Sequence, residues 1–254
     1  MLVQFPRNEG QVEGIRRPVS VNLVDDRFED EVPQKVDHAA EPIKDINDIV
    51  RAQNYFLSNG RYRDNLLFTV GINTGLRCGD LVKLKVGHLL NEDGTSYRDR
   101  VTVQEEKTSK LRMLYLNEAI FDAADLYFAH TTSVSLNDYL FQCESNRAKG
   151  SHLTVRSVER ILKEVINDAL GLTIQASTHC LRKTFAYHVI TNAPDRSRAI
   201  EFLQKILGHS RASITLRYAG ITDDEIEQTY RNLKLGSKNP FGFTFKNNKN
   251  EIAS

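Results

Sequence analysis

Four segments hold residues whose types and spacing suit chemistry on a phosphate: NTGLRCGDLVKL (73–84), EEKTSK (105–110), THCLRKTFAYH (178–188) and LGHSRASITLRY (207–218). Arg77 and Arg182 each present a planar guanidinium fork that matches phosphate oxygens, so a pair of them can neutralise charge gathering on phosphorus. His179 and Arg182 are three residues apart and share one helical face. They fall at the start of an expected helix, where unpaired backbone N–H groups favour an anion. Tyr218 follows His209 by nine residues at the end of a helical stretch. A phenol with its ordinary pKa of about 10 is a weak nucleophile at neutral pH, and a nearby cation plus a proton acceptor would activate it. Taken singly, each residue has a plainer reading. Arg77 would be a surface arginine, His179 would make a local bond at a helix start, and Lys107 and Lys110 would be ordinary hairpin charges. Tyr218 is one of nine tyrosines.

The elements that must carry these residues are mostly helices. Asp45 is the expected N-cap of a helix with Ile46, Ile49, Val50 and Phe56 on one stripe, stopped at Asn59-Gly60. A second apolar helix runs from about 63 to 73 and is broken by Gly75. A third begins near Cys78. RVTVQEE and LRMLYL read as two strands around KTSK, a hairpin that presents Lys107 and Lys110. Helices are expected over about 118–130, 154–170, 178–191, 196–207, 210–217 and 222–234. The clearest pattern is Val158, Ile161, Leu162, Val165, Ile166, Ala169 and Leu170 at spacings of three and four. The fold class is mainly α with a small antiparallel β-sheet (α+β).

Composition sets limits. The 40% hydrophobic share suits a real core, and no apolar run approaches a bilayer span. The N-terminus lacks the apolar stretch of a secretory signal. Cys78, Cys143 and Cys180 are an odd set with no CxxC spacing, so a reducing, cytoplasmic compartment is expected and no disulfide framework. Cys78 and Cys180 read as small buried hydrophobes, and Tyr187 and His188 as packing residues. The net charge of +1 conceals an asymmetry. Residues 1–45 hold six Lys and Arg against ten Asp and Glu, a balance of −4, which leaves +5 for the rest. Residues 1–41 read as an acidic, mostly irregular segment with VSVNLV (19–24) as a possible strand. Residues 42–235 read as one domain, and 236–254 as a tail.

Arg77, Lys107, His179, Arg182, His209 and Tyr218 stand in the order found in the catalytic domain of the tyrosine recombinase, or phage integrase, family, which this chain resembles from about residue 42 to about 234. The resemblance implies that domain's fold and a site-specific DNA recombinase or integrase, which cleaves and rejoins DNA through a 3′-phosphotyrosine on Tyr218. It implies that Arg77 and Arg182 bind the non-bridging oxygens and that His179 accepts the tyrosine proton. Lys107, chosen over Lys110, protonates the 5′-oxygen, and His209 donates to the phosphate. Asp80, three after Arg77, is expected to orient a catalytic side chain. No metal, ATP or other cofactor is called for. The implied partners are double-stranded DNA, further copies in a tetramer on that DNA, and an accessory DNA-bending protein. No membrane is among them. Most family members carry a separate helical domain ahead of the catalytic one; residues 1–41 are too few for it, so a short form is expected. Two alternatives stay open: DNA relaxation of the topoisomerase IB kind, and a non-enzymatic DNA-binding regulator with the same fold.

Overall fold

The computed structural model describes residues 40–132, 134–145, 148–220 and 231–233. The expected strand at 19–24 and most of the expected helix at 222–234 lie outside them. Helix α1, Ile46–Ser58, starts where Asp45 accepts the Asn47 N–H at 2.8 Å and ends at Asn59. Helix α2, Tyr62–Thr74, has Leu66, Leu67, Phe68 and Val70 fully buried, because it runs through the middle of the fold and packs on α1, on α4 (Glu118–Ala129) and on α6 (Thr178–Thr191). A helix buried on every side shows no apolar stripe, only an apolar run.

Gly75 ends α2 with φ +59°, a left-handed conformation that glycine adopts without strain. Three residues later α3, Cys78–Val82, begins. Strands β1, Arg100–Gln104, and β2, Leu111–Tyr115, pair antiparallel with Val101 opposite Leu114 and Val103 opposite Arg112. One face of this ribbon meets the core through Val103 and Leu114, and the other exposes Leu111, Met113 and Tyr115. Helix α5, Val155–Lys163, is capped by Thr154 and continues as a π-helical stretch, Glu164–Ala169. That widening is absent from the expected continuous helix. There the bonds run five and six residues back, from Leu170 N–H to the Val165 carbonyl and from Leu172 N–H to the Ile166 carbonyl.

Two hydrophobic clusters result. The larger gathers α1 to α5, the hairpin and the start of α6 around Phe56, Phe68, Ile120, Phe141 and Leu162. The smaller holds Ala186 and Ile190 of α6, Leu203 and Leu207 of α7 (Arg196–Leu207), and Ala219 beyond α8 (Ala212–Tyr218). Helix α6 belongs to both. Among the described residues no helix is long and apolar enough to cross a membrane.

Candidate active site

The six residues singled out in the sequence converge where the two clusters meet. Arg77 is the residue that precedes α3, and its Nη1 donates to Glu105 Oε2 at 2.7 Å. Arg182, on the second turn of α6, is buried. It donates through Nη1 to the Gly75 carbonyl at 2.7 Å and through Nη2 to the Leu207 carbonyl at 2.9 Å. The left-handed turn at Gly75 thus aims a carbonyl into the site, and the end of α7 supplies the second. Both Nη atoms are anchored, so the guanidinium stands in one orientation before any ligand arrives.

His179 lies on the first turn of α6, behind the Ser177 cap. Its imidazole is held below the ordinary value near 6.5, first by partial burial and then by the charges of Arg182, Lys183, Arg77 and Lys107. His209 follows Gly208, whose left-handed φ of +69° turns the chain out of α7. Its Nδ1 lies 3.1 Å from the hydroxyl of buried Thr215. Burial, then Arg182 and Arg77, depress it in the same direction. Both shifts favour the neutral ring, which can accept a proton or donate one N–H.

Tyr218 ends α8. Its ring meets His209 edge-on at a centroid distance of 5.1 Å, and Lys183 Nζ lies 5.4 Å from the ring centre. The hydroxyl is enclosed and makes no hydrogen bond of good geometry. Burial raises its pKa, partly offset by the guanidiniums of Arg182 and Arg77. The Arg182 guanidinium is the donor that faces it. An enclosed hydroxyl in a cation-lined recess is one held ready for something that enters.

Lys107 is exposed at the tip of the hairpin turn. Asp80 does not bond to Arg77. Its Oδ1 accepts the Glu106 N–H at 2.9 Å and so holds the turn that carries Lys107; its Oδ2 is buried without a partner. Two further charges line the site, and sequence reasoning missed both. Glu105 is buried against Arg77. Arg112 donates to the Thr74 carbonyl at 2.5 Å and to the Gly75 carbonyl at 3.4 Å, and lies 3.6 Å from Glu105. A signal for both existed: Glu105 continues the inward register of Val101 and Val103, and Arg112 that of Leu114, so each is a charge on the core-facing side of a strand. Cys78 and Cys180 are buried, and burial pushes each thiol up to about 12, which suits packing rather than reactivity. His188 packs as expected and its Nε2 lies 3.0 Å from the Ile43 carbonyl, tying α6 to the chain ahead of α1.

Three guanidiniums, two imidazoles and an enclosed phenol thus lie together on a mainly helical domain, an arrangement that suits an anion. Comparison with known proteins gives the family. A family model described as the phage integrase family matches residues 42–225. The probable integrase/recombinase YoeC of Bacillus subtilis (strain 168) is 34% identical over 194 residues, covering 76% of this chain and 97% of YoeC. The tyrosine recombinase XerA of Pyrococcus furiosus is 30% identical over 175 residues, covering 69% of this chain and 56% of XerA. A crystal structure of XerA recombinase superposes with a TM-score of 0.56 at 25% identity, covering 76% of this chain and 64% of that one. The chain thus spans little more than half the length of XerA and nearly all of YoeC. It belongs to the phage integrase family, the tyrosine-type site-specific recombinases.

Proposed function

We propose that this protein cleaves and rejoins double-stranded DNA by attack of Tyr218 Oη on a scissile phosphate. The observation that carries the reading is the Tyr218 hydroxyl itself, enclosed against the anchored Arg182 guanidinium with Arg77 close by. In the reaction the Tyr218 oxygen bonds to phosphorus as the bond from phosphorus to the 5′-oxygen breaks. His179 takes the phenolic proton. Lys107 gives a proton to the departing 5′-oxygen, leaving a 3′-phosphotyrosine and a free 5′-hydroxyl. Arg77 and Arg182 bind the non-bridging oxygens, and His209 donates a further hydrogen bond. Arg77 and Arg182 are held by protein partners before substrate binds, so they stabilise the pentacoordinate state without rearranging. The covalent link retains the phosphodiester's energy, so the reverse attack by a 5′-hydroxyl needs no ATP. A hydroxyl from a second duplex gives strand exchange, which calls for several copies on paired DNA sites. The segment after Tyr218 then serves assembly, and an accessory DNA-bending protein would help to pair the sites.

A substrate nicked beside the cleavage point lets the short 5′ product diffuse away and traps the adduct. The parent protein should form a covalent complex stable on a denaturing gel, and Tyr218→Phe should bind the same DNA without forming it. An adduct that persists in Tyr218→Phe would assign the nucleophile elsewhere.

A further inference from the structure

Glu105 has no part in the chemistry just described, yet it touches more of the site than any other carboxylate there. It is 6% exposed, and it sits where β1 gives way to the turn. Its Oε2 accepts from Arg77 Nη1 at 2.7 Å and from Thr108 Oγ1 at 2.9 Å, while its Oε1 lies 3.6 Å from Arg112 Nη1. Burial alone would raise its carboxyl; the bonds from Arg77 and Thr108 and the charges of Arg77 and Arg112 outweigh that and keep it ionised. The same turn is held from the other side, where Asp80 takes the Glu106 N–H at 2.9 Å. Lys107 lies between these two attachments. The residue before it is tied through its backbone, and the residue after it through its hydroxyl. A lysine has four rotatable bonds, so its ammonium finds one place only if its backbone is fixed.

We propose that Glu105 is a positioning residue, one buried carboxylate shared by Arg77 and the Thr108 hydroxyl that fixes the Lys107 turn in register with the first arginine. Arg77 bonds Glu105 through one nitrogen, which leaves the rest of its fork for a phosphate oxygen. The leaving-group proton and the charge on phosphorus are thereby managed by two side chains held against one anchor. A purely structural carboxylate, present only to neutralise half-buried Arg112, would slow every substrate alike when removed.

The inference rests on Lys107 as the proton donor, and the test separates the two ideas. Single-turnover cleavage is measured on a nicked DNA substrate and on its 5′-bridging phosphorothiolate, whose sulfur leaves without a proton. The variants are Lys107→Ala, Thr108→Val, Glu105→Gln and Glu105→Ala, each with its melting temperature. Thr108→Val, which cuts only the lysine arm, should cleave the oxygen substrate roughly tenfold slower and recover on the sulfur one, as the loss of one charge-assisted hydrogen bond implies. Glu105→Gln and Glu105→Ala disturb both arms and should recover only in part. Thr108→Val unrescued while Lys107→Ala is rescued would overturn the inference and leave the reaction intact. Lys107→Ala unrescued would overturn the acid assignment beneath it. Glu105→Gln cleaving both substrates at the parent rate, or equally slowed on both, would also overturn the inference; this isosteric variant keeps the test decisive if Glu105→Ala fails to fold.

Discussion

Replacing Gly75 by alanine should damage this protein twice over, and the two parts can be separated. At φ +59° an L-residue is in the left-handed region, at a cost of about 1–2 kcal/mol. The added Cβ would also meet the Phe185 ring, lying 2.9 Å from Cγ and Cε1 and closer still to Cδ1. The chain must shift to relieve that contact, for about another 1–3 kcal/mol. Together these predict a loss of about 2–5 kcal/mol, or roughly 4–20 °C in melting temperature for a domain of this size. Activity should fall further than stability alone implies, because the Gly75 carbonyl accepts from both Arg182 and Arg112 and moves with the backbone. Thermal melts of Gly75→Ala, Phe185→Ala and the double variant form a cycle. In the Phe185→Ala background the glycine change should cost only the dihedral part, leaving a coupling of about 1–3 kcal/mol. The adduct assay at a temperature where all four proteins are folded then reads the chemical effect. A Gly75→Ala protein that melts within about 2 °C of the parent and cleaves normally would refute the account of this turn.

Cleavage should hold across pH 7–8 and fall on the acid side. His179 and His209 have folded values lowered from 6.5, so their neutral forms survive until the pH drops below that figure; a rate that rises on acidification through this range would contradict His179 as proton acceptor. The stability sign runs the same way. Below pH 6.5 the unfolded chain binds protons that the folded rings resist, so both histidines add stability that is fully present above that value and lost as pH falls through their lowered folded values. Cleavage and adduct formation should persist in EDTA at the parent rate, because guanidiniums stabilise the phosphate; loss in EDTA with recovery on adding magnesium or zinc would sink the mechanism. Deleting residues 222–254 should leave a folded protein that assembles poorly on paired DNA sites, read by light scattering with and without DNA. Recombination at the parent rate after that deletion would reduce the segment to packing.

The sequence was most legible where one residue type has one physical use. Asp45 is a capping residue and sits at a cap, Gly75 ends a helix, and KTSK joins two strands. The π-helical stretch at Glu164–Ala169 was hidden, because apolar spacings of three and four do not distinguish bonds to the fourth residue back from bonds to the fifth or sixth. The convergence of Arg182 with Gly75 and Leu207 was also invisible: its partners are carbonyls, and every residue carries one. Asp80 was noticed for its distance from Arg77 along the chain, while its bond crosses to the hairpin, which local spacing cannot reveal. Glu105 and Arg112 were within reach had strand register been applied to charges as strictly as to apolar residues.

The division of the interior into two clusters has a consequence for safety. A protein that can cut DNA must stay harmless while unengaged. Here Arg77 and Lys107 belong to the larger body, whereas His209 and Tyr218 ride on α7 and α8 against a small cluster of five buried residues. Small cooperative units open at lower free energy than large ones. In the proposed reaction the nucleophile therefore rests on the smaller unit, and local opening of α7 and α8 would part the phenol from the cations. Arg182, bonded to Gly75 on one side and Leu207 on the other, is the catch between the two clusters. A phosphate held between Arg182 and Tyr218 would bridge the two clusters, so in the proposed reaction readiness to cut depends on occupancy as well as on folding.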